Sequence, residues 1–436
     1  MVDAAEIKIW DELVGAVRWD ANKRLASFQY GKKFLTKAIN LSPIKMSIKN
    51  GDRIYTFPEL RRTKDEQIAT FDGLPGLLAD ALPDKYGNQL INIWLAKNGR
   101  PPNSMNPVEK LCFIGSRGMG ALEFEPAQLK TSKQTFAIEI NTLVGIAQKI
   151  LSNREVFKVN LLEDEQKAIR EILNIGTSAG GARPKAVIAF NKQTGEVRSG
   201  QTIAPKGFKH WLLKLDGVSD VQFGSSHGFG RVEYAYYLMA RDCSIQMMES
   251  KLLEENERAH FMTKRFDREG SSIKHHIQTF CGIQHFDYNN LYGYSYEQLF
   301  QTMRMLKMTY PEAEQMFRRM VFNVMATNYD DHAKNFSFRL KQKGEWELSP
   351  AYDVCYSYNP ENVWVSQHTL SINGKHKEIN KTDLMQIANT NNIVKGKKII
   401  GEIKETVCDW QKYADKAQVP SELKSSITKN LVALKF

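Results

Sequence analysis

The chain has 436 residues, 42% of them hydrophobic and 25% charged, a profile that predicts a soluble globular protein of two or three domains. No run of about 18 apolar residues could span a bilayer, and five scattered cysteines (Cys112, Cys243, Cys281, Cys355, Cys408) without CxxC spacing argue against a zinc framework or a disulfide scaffold. An excess of 60 Lys+Arg over 49 Asp+Glu leaves a net charge of +11. That excess favours anionic partners such as nucleotide, nucleic acid or acidic protein, with solubility alone as the competing reading.

The N-terminus, Met1 to Glu6, is acidic and lacks a signal-peptide core, so a reducing cytoplasm is expected. Ile7 to Trp10, Val14 to Trp19 and Ser27 to Tyr30 read as short strands between charged turns. Phe71 to Asp84, with Gly73, Pro75 and Gly76, predicts a turn and a short helix. Cys112 to Phe124, with Gly115, Gly118 and Gly120, reads as a glycine-rich turn entering a strand, and the polar stretch Gln128 to Gln134 as a linker. From about 140 the pattern is mixed. A helix over Asp164 to Leu173 precedes the small-residue loop Gly176 to Gly181, then strands follow at Val187 to Phe190 and Trp211 to Leu215. A helix over Arg231 to Ala240 comes next, and Met262 to Phe266 is extended. His275-His276 reads as a surface pair. Beyond Tyr294 the chain is expected to be mostly helical. Lys375-His376-Lys377 and Lys395-Gly396-Lys397-Lys398 are its densest basic clusters, candidates for phosphate-backbone contact.

Pro311 to Thr327 predicts a helix with Met316, Phe317, Met320, Val321, Val324 and Met325 on one stripe. The stripe stops where Asn328-Tyr329-Asp330-Asp331-His332-Ala333-Lys334-Asn335 begins. An Asp followed five residues later by an Asn is the spacing of a kinase catalytic loop, in which the Asp accepts the substrate hydroxyl proton and the Asn holds a metal ion. Phe336, Phe338 and Leu340 alternate with Ser337 and Arg339. A turn at Gly344 and a second alternation at Trp346 and Leu348 complete a hairpin signal. A hairpin would bring Asp353, in Ser349-Pro350-Ala351-Tyr352-Asp353, near Asn335, where a kinase places its other magnesium ligand. The competing reading is a solvated acidic turn after a core helix. The spacing, the hairpin and the second Asp together favour phosphoryl transfer.

The remaining parts of such a site have candidates upstream. The loop Gly176 to Gly181, with Ala179, Gly180 and Gly181, lets backbone N–H groups approach phosphate oxygens, although it is neither a Walker A loop nor G-x-G-x-x-G. Lys214 sits inside an apolar strand, where an unpaired ammonium is costly to bury, and Glu233 on the following helix is its natural counter-charge. The competing reading of Lys214 is an edge-strand lysine with its ammonium in water.

Gly181-Ala182-Arg183-Pro184-Lys185, Leu212-Leu213-Lys214, Arg265-Phe266-Asp267, Asp330 to Ser337 and Ser349 to Asp353 resemble the HipA family of Ser/Thr kinases, toxins of bacterial toxin–antitoxin pairs. The likeness extends to Leu74 to Asp84 and Ile114 to Ala121, in the family's order. It implies an α+β, protein-kinase-like two-lobed fold with a small β-rich N-terminal subdomain (1–135), an α/β N-lobe (136–270) and a mostly helical C-lobe (271–436). It makes Asp330 the catalytic base, Asn335 and Asp353 the Mg2+ ligands, and Lys214 the ATP-phosphate contact. Asp267 would reach the ribose and the backbone from Lys264 to Phe266 the adenine, with His332 and Lys334 as further nucleotide contacts. Ser178 falls at the loop serine whose autophosphorylation switches such kinases off, and Thr177 adjoins it. The implied partners are a small helix-turn-helix antitoxin (HipB-like), operator DNA through that complex, and a protein substrate such as an aminoacyl-tRNA synthetase. A weakly catalytic DNA-associated co-repressor and a small-molecule kinase are the alternatives.

Overall fold

The computed structural model describes residues 2–62, 69–128, 137–152, 183–200, 203–220, 224–225, 227–342 and 344–436. The expected helix over Asp164 to Leu173 and the small-residue loop, including Thr177, Ser178, Ala179, Gly180 and Gly181, lie outside the described residues. The chain divides into two compact units. One holds Met1–His227, Leu253–Gln278 and Leu340–Gly344; the other holds Gly228–Leu252, Thr279–Arg339 and Glu345–Phe436. The expected boundary at 135 thus falls inside the first unit, and the helix carrying Glu233 belongs to the second.

In the first unit, period-two alternation puts Ile7, Ile9, Val14, Val17, Ala26 and Phe28 in the interior. Strands with one apolar face pair by that face's register. Leu25–Tyr30, Glu12–Asp20, Ala4–Ile9 and Leu122–Glu125 accordingly form an antiparallel sheet in that order. The segment from Cys112 is not all turn: Pro107–Ile114 is a helix, capped by the Asn106 side chain and opened by Pro107. Pro at the first helical position follows from its preset φ and missing N–H. Gly115, at φ 59° with a Cβ position 3.1 Å from Ala127 Cβ, ends it.

The second sheet of this unit runs Arg258–Lys264, Phe208–Lys214, Lys185–Asn191, Val197–Ser199. Its core face carries Ala186, Ile188, Phe190, Trp211, Leu213 and Met262, packed with Leu90 and Ile91 of helix Lys85–Lys97 and with Leu143 and Ala147 of helix Ile140–Ser152. Alternation leaves the opposite face to Lys185, Lys214 and Phe261, which stand opposite one another across three strands.

One expectation about charge differs here. His275 and His276 are buried, not a surface pair: His276 Nε2 lies 3.1 Å from Leu41 O and His275 Nε2 lies 3.0 Å from Glu269 Oε2. Burial pushes the His276 imidazole down to about 4, so it is neutral in a neutral solution. Asp267 is fully buried, and its oxygens accept Arg265 Nε at 2.8 Å, Arg265 Nη2 at 2.6 Å, Arg268 Nη1 at 2.7 Å and Gly120 N at 2.7 Å. It ties two arginines to the glycine turn.

Burial alone would raise the Asp267 carboxyl, but the Arg265 and Arg268 guanidiniums and the Gly120 N–H outweigh it and hold it far below the usual carboxylate range. A lowered folded-state pKa stabilises the fold above the unfolded value, and that stability is lost as pH falls. Wild type is therefore expected to lose stability progressively below about pH 4, the ordinary Asp value. Asp267→Asn should lose less over that window. Urea midpoints at neutral pH and at about pH 3 compare the two proteins; equal acid sensitivity contradicts this role.

The second unit is mainly helical: Phe229–Asp242, Tyr296–Met305, Tyr310–Met325, Lys381–Thr390, Gly396–Cys408, Trp410–Lys416 and Ser421–Asn430. Tyr236 lies edge-on to Phe322 and Trp410, and its hydroxyl donates to Ala326 O at 2.6 Å. The predicted hairpin is present as Ser337–Leu340 and Trp346–Leu348. No helix among the described residues is long and apolar enough to cross a membrane.

Candidate functional site

Helix Tyr310–Met325 carries Pro311 in its first turn, with the Glu312 carboxylate accepting the Thr309 N–H at 2.8 Å. It ends two residues before the predicted Thr327 because Thr327 is left-handed, at φ 56°. A β-branched residue there is a true outlier. Its hydroxyl donates to Asn430 O at 2.9 Å and accepts from Val432 N at 3.2 Å, which holds the turn. The chain leaves this turn directly into the acidic run.

Within that run, adjacent carboxylates have opposite environments. Asp331 has no exposed side-chain surface. It accepts the Tyr296 hydroxyl at 2.9 Å, His368 Nδ1 at 2.8 Å and Thr369 N at 2.7 Å. Asn323 Nδ2 in turn donates to the Tyr296 hydroxyl at 3.0 Å, and Asn328 Nδ2 to Asn323 Oδ1 at 2.9 Å. Asp330 keeps 38% of its side-chain surface exposed. The loop is thus pinned from below by one Asp and presents the other.

Asn335 Nδ2 donates to Asp330 O at 2.6 Å, which commits the amide nitrogen and leaves Oδ1 as the atom to offer a cation. A single 3-10 turn, Ala333–Asn335, makes this closure. The His332 Nδ1 accepts Lys334 N at 3.2 Å, so Nε2 carries the proton, 3.7 Å from Asp330 Oδ1. Lys334 places its ammonium 4.5 Å from the Tyr288 ring centroid, and Lys334 O accepts the Tyr352 hydroxyl at 2.7 Å. That last bond joins the acidic loop to the strap on which Asp353 sits, itself left-handed at φ 55°. Asp tolerates this conformation better than most residues, and such outliers cluster at functional sites.

One pocket collects these groups. Asp330, Asp331, Asn335 and Asp353 line it together with Asn323 and Arg319. Asp330, Asn335 and Asp353 are hard oxygen donors of the kind Mg2+ takes. Among the described residues no three His, Cys, Asp or Glu side chains close on one metal-sized point. Asp330, Asn335 and Asp353 could hold such a cation only together with water or phosphate ligands. Arg319, 5% exposed, donates Nη2 to Ser349 O at 2.6 Å. Burial pushes its guanidinium down to about 10, so it stays charged at neutral pH.

The second unit thus brings Asp330, His332, Lys334, Asn335 and Asp353 together, and Glu233 lies in the same unit, buried on helix Phe229–Asp242. Lys214, Lys264, Phe266 and Asp267 belong to the first unit. Lys214 is half-buried, with Nζ 5.9 Å from the Phe261 ring centroid. Sequence reasoning missed Asp331, His368, Tyr296 and Arg319. The one available signal was an arginine set between Phe317 and Met320 of an apolar stripe.

The HipA N-terminal domain family matches residues 5–125, and the HipA-like C-terminal domain family matches residues 177–416, more than half of the chain. No curated protein matches. Among solved structures, the chain is similar to HipA from Shewanella oneidensis MR-1, from a complex of the toxin–antitoxin system's HipA and HipB with operator DNA. The TM-score is 0.67 at 17% identity, over 98% of this chain and 96% of that one; a likeness at this identity speaks for the fold. The Helicobacter pylori proinflammatory kinase CtkA aligns at a TM-score of 0.30 and 12% identity, over 52% of this chain and 92% of that one, too low to carry an argument. With both family domains present in order and a mixed helix-and-sheet fold shared end to end, this chain belongs to the HipA family.

Proposed function

We propose that this protein is an ATP- and Mg2+-dependent serine/threonine protein kinase of two-lobed, kinase-like architecture, acting as the toxin of a toxin–antitoxin pair. The observation that carries this reading is the convergence of Asp330, Asn335 and Asp353 on one pocket, with Asp330 the accessible carboxylate and its neighbour fully engaged. ATP would supply the phosphoryl group, and Mg2+ the charge neutralisation at its phosphates.

In this reading Asp330 orients the acceptor hydroxyl and takes its proton as the oxygen attacks. Asn335 and Asp353 offer oxygens to the cation. Asp331 keeps the loop in place, and the Tyr352–Lys334 bond keeps the Asp353 strap in register with it. Lys214 would bind phosphate, with Glu233 as its counter-charge, and the Lys264 to Phe266 backbone would receive the adenine. Autophosphorylation at Ser178, or at Thr177, would add about −1.5 to −2 charge to a loop meant for ATP phosphates and so lower nucleotide affinity. The proposed partners are a HipB-like helix-turn-helix antitoxin, operator DNA through that complex, and a translation component such as an aminoacyl-tRNA synthetase as substrate. The structural relative comes from a complex with HipB and operator DNA, which supports the first two.

Asp353→Asn is expected to weaken Mg2+-dependent ATP binding by about tenfold or more, because a hard cation prefers charged oxygen ligands. Nucleotide titrations with and without Mg2+ measure it. Unchanged affinity in Mg2+ would remove Asp353 from the metal site.

A further inference from the structure

The acidic loop and the Asp353 strap share an anchor outside the pocket. Thr327 lies three residues before Asp330, and Tyr356 three residues after Asp353. A short main-chain ladder joins the two segments: Tyr329 N donates to Ser357 O at 3.1 Å and Ser357 N to Thr327 O at 3.2 Å. The ladder ends on Thr327, whose left-handed backbone, φ 56°, is costly for a β-branched residue and lasts only where its surroundings hold it. Asn430 supplies that hold from the end of helix Ser421–Asn430. Its carbonyl oxygen accepts the Thr327 hydroxyl at 2.9 Å. Its Nδ2 donates to the Tyr356 hydroxyl at 3.1 Å and to Ser426 O at 3.1 Å. Val432 N adds a bond to the Thr327 hydroxyl at 3.2 Å. Ile427, Leu431 and Ala433, on either side of Asn430, are buried, which fixes this clip to the interior of the helical unit.

We propose that Asn430 is a positioning residue for phosphoryl transfer: its carbonyl holds the root of the Asp330 loop, its amide holds the strap of Asp353, and together they set the base in register with the metal ligand. This rests on the kinase reading above. A hydrated cation adjusts to a small shift through its water ligands, whereas alignment of the acceptor hydroxyl with the phosphorus does not tolerate one. Loss of the tie therefore costs turnover rather than nucleotide binding.

The test uses the full chain and two variants. Asn430→Ala removes the amide and keeps the carbonyl; Tyr356→Phe removes the hydroxyl that the amide meets. Initial rates of label transfer from γ-labelled ATP to protein of a bacterial extract, at saturating Mg2+ and ATP, should fall about tenfold in each. Mg2+-dependent ATP affinity should stay within about twofold of wild type. The double variant should be no slower than Asn430→Ala, because both changes break the same bond. A merely structural role lowers the urea midpoint and leaves the turnover of folded protein at the wild-type level. The proposal is overturned if either single variant turns over at the wild-type rate, if ATP affinity falls as far as turnover, or if the two effects multiply in the double variant. Should Asn430→Ala not fold, Tyr356→Phe decides by its rate and affinity alone. Wild type that binds ATP and transfers no phosphate sinks the kinase reading, and the proposal with it; an active wild type with unaffected variants sinks the proposal alone.

Discussion

Asp330→Asn is expected to slow phosphoryl transfer by roughly 10²–10⁴, the range for loss of a general base, with the fold unchanged. The environments of the two neighbouring carboxylates make this choice. Asp331 engages both oxygens with Tyr296, His368 and Thr369 and has no exposed side-chain surface, so a substrate hydroxyl does not reach it. Asp330 has an exposed side chain, 3.7 Å from the His332 Nε2 and above the Asn335 that closes the loop. The amide variant keeps its size and loses the basic oxygen. Initial rates of phosphate incorporation measure the effect, and relief of growth arrest on expression should accompany it. A rate for Asp330→Asn within a factor of about two of wild type, well short of a general base's contribution, would move the base elsewhere.

Asp331→Ala should act on stability first. It leaves the Tyr296 hydroxyl, His368 Nδ1 and the Thr369 N–H facing a cavity in a region with no solvent access. A buried group left without its partner costs about 1–3 kcal/mol, and breaking a buried charged pair about 3–5 kcal/mol. A loss of about 3–5 kcal/mol is therefore expected. Asp331→Asn, which keeps an acceptor but loses the charge, should cost less. Urea midpoints rank the three proteins. If Asp331→Ala unfolds at the wild-type midpoint, the network does not hold the loop. If Asp331→Asn loses transfer while Asp330→Asn retains it, the two carboxylates have exchanged roles.

What the sequence made legible is what is local. The helix before the acidic run, the hairpin after it and the Asp–Asn spacing each sit within a few residues of their own signal. Helix Tyr310–Met325 and strands Ser337–Leu340 and Trp346–Leu348 fall close to where periodicity puts them. The placement of Asp353 beside Asn335 also followed, because a hairpin fixes the return of its own ends. What stayed hidden depends on distant partners. Asp331 looks like a second exposed acid until Tyr296 and His368, 35 and 37 residues away, close over it. Nothing near Asp267 in sequence announces that Gly120, 147 residues earlier, donates to it. His275-His276 looked like a surface pair because nothing nearby announces that Leu41, 235 residues before His276, supplies its partner. Helix Pro107–Ile114 was obscured by the glycines just after it, although Asn106-Pro107 is a regular start signal.

The most direct measurement is incubation of the purified chain with γ-labelled ATP and a bacterial extract, with Mg2+ and with chelator. Label is expected on serine or threonine of a protein in the extract, and on Ser178 or Thr177 of the chain itself. Both signals should vanish with chelator and in the Asp330→Asn variant. Label that persists without metal, or in that variant, or no transfer to any hydroxyl while ATP is bound, would contradict the assignment of this pocket to phosphoryl transfer.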